Sequence, residues 1–71
     1  MPQLTPIRSD ALRAVGYDPA SRILTVQFAS GATYEYLDVA PDLHDAVRDA
    51  QPHPWAAFGD EIKQHAFRRL R

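Results

Sequence analysis

Apolar and polar residues alternate most cleanly between Arg22 and Phe28, where Leu24, Val26 and Phe28 interleave with Thr25 and Gln27. A period of two marks a strand with one face on a core. Ala11 to Tyr17 reads as an earlier strand, with Val15 and Tyr17 on one face and Leu12 and Ala14 on the other. Asp18-Pro19-Ala20-Ser21 joins the two as a type I turn, in which proline presets φ and the aspartate side chain bonds its own backbone. Thr33 to Val39 is the third strand, and it carries Tyr34 and Tyr36 on one face.

The turn at Ala29-Ser30-Gly31 decides which face that is. A two-residue loop would set Phe28 opposite Thr33 and turn both tyrosines away from Val26. A three-residue loop ending in Gly31 as a left-handed bulge residue sets Phe28 opposite Ala32, Val26 opposite Tyr34 and Leu24 opposite Tyr36. One residue of slip exchanges the faces. The bulge is preferred because aromatic and β-branched residues then pair across the strands.

The period changes after Val39. Pro41 suits the first turn of a helix, Asp42 and Asp45 lie near its positive end, and Leu43, Ala46, Val47 and Ala50 share one helical face. Pro52 and Pro54 end it. Phe58, Ile62, Ala66 and Leu70 recur every four residues and predict a second helix from about Asp60, with Trp55 to Phe58 as a loop or single turn because Gly59 weakens the start. Residues 1 to 9, with Pro2 and Pro6, read as an extended lead-in. The predicted architecture is α+β, a three-stranded antiparallel meander followed by two helices packed on one face, β-β-β-α-α.

A chain of 71 residues makes one domain, residues 1–71, with a thin core. It contains no cysteine, so neither a disulfide nor a thiolate-bound zinc staples it. The apolar runs are too short to span a membrane, and the N-terminal residues lack the apolar stretch of a secretory signal. The expected setting is the cytoplasm, and the expected state a monomer with no membrane partner. The net charge is −1, but it is segregated: five acids and one base lie between Glu35 and Asp49, whereas Lys63, Arg68, Arg69 and Arg71 meet no acid from Lys63 onward.

No catalytic constellation emerges. The serines lack a nucleophile elbow, and there is neither a phosphate-binding loop nor a dinucleotide fingerprint. Glu61 and His65 stand four apart without a third ligand, and His44 and His53 fall in other elements, so no metal or cofactor is expected. Tyr34 and Tyr36 have two readings, as a base-stacking platform or as core; the strand-face argument favours core. The basic residues Lys63, Arg68, Arg69 and Arg71 are either phosphate contacts or a dipole-complementing helix end. Trp55 either caps the open end of the core or anchors a partner.

The chain resembles the KTSC domain, a short module named for the C-terminus of some lysyl-tRNA synthetases and also found alone in bacteria. The resemblance lies in Val15-Gly16-Tyr17-Asp18, in Leu24-x-Val26-x-Phe28-x-x-Gly31, in Tyr34-x-Tyr36-x-x-Val39-x-Pro41, and in Ala50 and Ile62-Lys63. Tyr17, Gly31, Tyr34 and Tyr36 are its signature positions. The chain departs from the family pattern after Ala50, where Pro52-His53-Pro54-Trp55-Ala56-Ala57-Phe58-Gly59 replaces a Ser-x-Gly and an aromatic-Phe-Asn stretch. The resemblance implies a non-catalytic module, with RNA suggested as ligand by the synthetase attachment. The expectation is therefore a binding module that contacts RNA through a basic C-terminal helix. The alternative is a protein-interaction or dimerisation module using Trp55, the acidic first helix and an edge strand.

Overall fold

Every described strand pairs antiparallel with its neighbour in chain order. The structure, a computed structural model, describes residues 4–51 and 53–70. The strands are β1 (Thr5–Pro6), β2 (Leu12–Asp18), β3 (Ile23–Phe28), β4 (Thr33–Tyr36) and β5 (Phe67–Arg69). They form one sheet in the order β1-β2-β3-β4-β5, and the helices α1 (Pro41–Asp49) and α2 (Pro54–Ile62) lie between β4 and β5 in the chain. The class is α+β as expected, but the sheet has five strands rather than three. The lead-in contributes β1, which sets Thr5 against Val15 and Pro6 against Ala14.

The hairpin between β3 and β4 has the predicted register, with Val26 opposite Tyr34 and Leu24 opposite Tyr36. Gly31 has φ +96°, and Phe28 N–H donates to Ala32 C=O at 2.8 Å. Only glycine takes that backbone conformation without strain. The β2 strand corrects one expectation. Leu12 pairs with Phe28 but Ala14 pairs with Gln27, so Arg13 is an extra, bulged residue. The bulge returns Leu12 to the face of Val15 and Tyr17, where it is buried in the core.

The third strand stops at Tyr36 rather than Val39, because Asp38 turns the chain at φ +56°. Val39 is nevertheless fixed, its N–H donating to Arg22 C=O at 2.8 Å. Leu12, Val15, Leu24, Val26 and Tyr36 of the sheet close with Val39, Val47 of α1 and Ile62 of α2 into one buried cluster.

The C-terminal third overturns the second-helix prediction. The helix begins at Pro54 and ends at Ile62, and the basic tail beyond is a strand. Gly59 does not break the start, because the Trp55 indole lies against its α-carbon. Phe58 and Ile62 pack on the core, but Ala66 and Leu70 are exposed, so the four-residue recurrence spans two different elements. The competing force is the edge of β4. Leu37 N–H donates to Ala66 C=O at 2.8 Å and Leu70 N–H to Thr33 C=O at 2.7 Å, satisfying backbone groups that a longer helix would leave unpaired.

Candidate functional site

Strand register gathers the aromatic residues. On the helix-covered face β3 carries Phe28, β4 carries Tyr34 and Tyr36, and β5 sets Phe67 opposite Tyr36 and Arg69 opposite Tyr34. Phe28 meets Tyr34 edge-on with ring centroids 5.6 Å apart, and Phe67 stacks on Tyr34 at 5.8 Å with the rings 9° from parallel. Phe67 also lies 6.0 Å from Tyr36. Trp55 completes the circle from α2, 5.0 Å from Phe28 at 90° and 6.4 Å from Tyr36.

These rings surround an open cavity of about 540 Å³ lined by Phe28, Tyr34, Tyr36, Trp55, Phe67 and Lys63. Its remaining wall comes from Ser30 and Ala32 of the β3–β4 loop. Tyr36 is the floor at 3% exposure, whereas Phe67 is 59% exposed. Burial, and secondarily the neighbouring Tyr34, raises the Tyr36 pKa above the ordinary phenol value. Tyr36 therefore belongs to the core, while Tyr34 is half-buried in the wall.

Two cations lie over these rings. Lys63 Nζ lies 5.7 Å from the centroid of the Trp55 ring, and the Arg69 guanidinium 5.7 Å from that of Tyr34. Both distances suit cation–π attraction. The sequence had grouped Lys63, Arg68, Arg69 and Arg71 on one helix. Alternation along β5 instead sends Arg68 to the opposite face, where it pairs with Glu35. Its Nε and Nη2 donate to one Glu35 carboxylate oxygen at 3.1 and 2.5 Å. Arg68 thus balances a buried carboxylate, and Arg71 lies outside the described residues.

The other singled-out residues divide between structure and surface. Tyr17 donates its hydroxyl to Val39 C=O at 2.6 Å and stacks on His44 at 4.8 Å, tying β2 to α1. Burial, reinforced by Arg48 and opposed by Asp45, lowers the His44 pKa. On the acidic helix Arg48 sits 3.3 Å from Asp45 and 4.0 Å from Asp49, which tempers the stripe. His65 lies in the turn after α2, with Nδ1 3.0 Å from Leu37 C=O, rather than on a helix face with Glu61. Among the described residues no group of three or more His, Asp or Glu side chains could hold a metal ion. No helix there is long and apolar enough to cross a membrane. Sequence reasoning missed Phe28 and Phe67 as site residues, because Phe67 joins the tyrosines only once the tail is a strand.

Comparison with known proteins adds four likenesses. A sequence model of the KTSC domain matches residues 8–67. A protein of Tsukamurella paurometabola is 44% identical over 48 residues, covering 68% of this chain and 72% of that one. A protein of Stutzerimonas stutzeri is 46% identical over 44 residues, 62% of each chain. In three dimensions, the crystal structure of a KTSC domain protein from Yersinia pestis matches the whole of both chains, with TM-score 0.90 and 30% identity.

Proposed function

The chain belongs to the KTSC domain family, and we propose that it is a non-enzymatic module that binds RNA at the cationic rim of its aromatic basin. The observation that carries this reading is that Lys63, just after α2, lines the aromatic cavity while Arg69, on β5, lies over the Tyr34 ring of its wall. Cations beside aromatic rings can supply the phosphate contacts from which such binding draws most of its affinity. The net charge of −1 adds little long-range attraction, so binding is modest and salt-sensitive.

The test is an NMR titration of the protein with short single-stranded RNA at two salt concentrations. Two phosphate contacts give a log–log salt slope of about −1.4. Lys63→Glu with Arg69→Glu abolishes binding and leaves the fold intact. A wild-type protein that shows no salt-dependent RNA binding at low ionic strength refutes the reading. The protein-interaction alternative then takes its place. The observation favouring that alternative is the outer edge at β5 and just beyond it, where Phe67 and Leu70 are the exposed large hydrophobic residues among those described.

A further inference from the structure

We infer that the basin is a pocket for a single unpaired nucleobase, stacked on Phe67, with Lys63 and Arg69 receiving the flanking phosphates. The inference rests on the RNA reading and narrows it to single strands. The cavity, about 540 Å³, is of the size that holds a small planar ligand. Its walls are aromatic, and two of its rings already stand in stacked geometry, Phe67 on Tyr34 at 9°. Phe67 is nonetheless 59% exposed, so much of its side chain meets solvent. A large aromatic ring left half in water on a three-residue edge strand is well placed to take a second planar partner.

Charge chooses among the planar or apolar occupants. Among the described residues lining the basin there is one cation, Lys63, and no acid, and Arg69 adds a second positive group over the adjoining Tyr34 ring. An uncharged apolar side chain of a protein partner would gain nothing from either cation. A base with phosphates on both sides satisfies the walls and the rim together. A base paired within a duplex keeps both faces in its own stack, so only an unpaired base can enter. Because the rings offer faces rather than directed hydrogen bonds, the pocket tolerates different bases.

The experiment uses the full chain with three probes: a six-nucleotide single-stranded RNA, the same strand carrying abasic sites, and a duplex of equal length. Binding is followed by emission of Trp55, the protein's only tryptophan. The expected order is single strand first, with the abasic strand and the duplex each at least tenfold weaker. Phe67→Ala weakens the single strand about tenfold or more, the range for one lost base–aromatic stack, with the salt slope unchanged and the protein still folded at the assay temperature. Phe67→Tyr restores binding. Equal affinity for the base-bearing and abasic strands, or a Phe67→Ala protein that binds as tightly as wild type, overturns the pocket and leaves a phosphate-only RNA site. No binding of any RNA at low salt overturns the RNA reading itself. Self-association dispersed by Phe67→Ala assigns the ring to a second copy of the chain and also overturns the pocket.

Discussion

Replacing Gly59 by alanine sets two known energies against each other. In an open helix interior the change stabilises by about 0.8–1.0 kcal/mol, since glycine carries the greater entropic cost. Here an added methyl would stand 3.0 Å from Cδ2 and Cε2 of Trp55 and 3.1 Å from its Nε1. Carbon atoms at optimal contact sit about 3.5–4.0 Å apart, so the indole must shift. It is held between Phe28 at 5.0 Å and Tyr36 at 6.4 Å. Loosening two aromatic pairs, each worth about 0.5–1.5 kcal/mol, costs about 2 kcal/mol in all. The net effect is a destabilisation of about 1 kcal/mol, or about 4–8 °C in Tm. Urea unfolding gives the stability, and Trp55 emission reports the displaced ring. In a Trp55→Leu background the sign reverses, and Gly59→Ala then stabilises by about 1 kcal/mol, read by circular dichroism. If Gly59→Ala stabilises the otherwise wild-type protein by that amount, the indole is not pinned and the account of how α2 starts is wrong.

Gly31→Val destabilises the β3–β4 hairpin by about 1–2 kcal/mol in chemical denaturation; no atom lies within 4 Å of the added Cβ, so the whole cost is backbone strain at φ +96°. Tyr36→Ala costs about 3–5 kcal/mol, and a loss under 1 kcal/mol would contradict its place in the core. His44 makes stability depend on pH. Its folded pKa is lowered mainly by burial, so the unfolded chain takes up the proton first; the contribution is complete above pH about 6.5 and is lost as pH falls through the folded value. His44→Phe keeps a ring on Tyr17 and should flatten the Tm profile between pH 7.5 and 5; a profile as steep as wild type removes His44 as its source.

Local chemistry made the centre of the sheet legible. The alternation at Leu24, Val26 and Phe28, together with one glycine in a left-handed turn, fixed the face and partners of Tyr34 and Tyr36. Arg13 was not legible, because a bulge leaves no mark in composition and is forced by the need to bury Leu12. The tail was misread because Phe58, Ile62, Ala66 and Leu70 imitate one helix, whereas the unpaired edge of β4, distant in sequence, claims the last segment. The candidate site inherited that error. Its rings come from β3, β4, α2 and β5, and no local pattern joins Phe67 to Phe28. The cation cluster likewise looked uniform until strand alternation divided Arg68 from Arg69.

The sheet closes across an uneven stretch of chain. The first four strands are joined by short connections, but β5 reaches Tyr36 only after both helices have been laid down, with Phe67 as the partner residue. Closing that long loop is costly for the sheet, and β5, three exposed residues paired on one side, is weakly held, as is the two-residue edge strand β1. Amide exchange should therefore run faster at Leu37 and Leu70, whose N–H groups close this last pairing, than at Val26. Each time β5 lifts, Phe67 and Arg69 leave together and the basin loses a wall and a charge. The fraction of time the strand is seated thus multiplies whatever intrinsic affinity the basin has, so a substitution far from the cavity that frees this edge would weaken binding without touching the ligand.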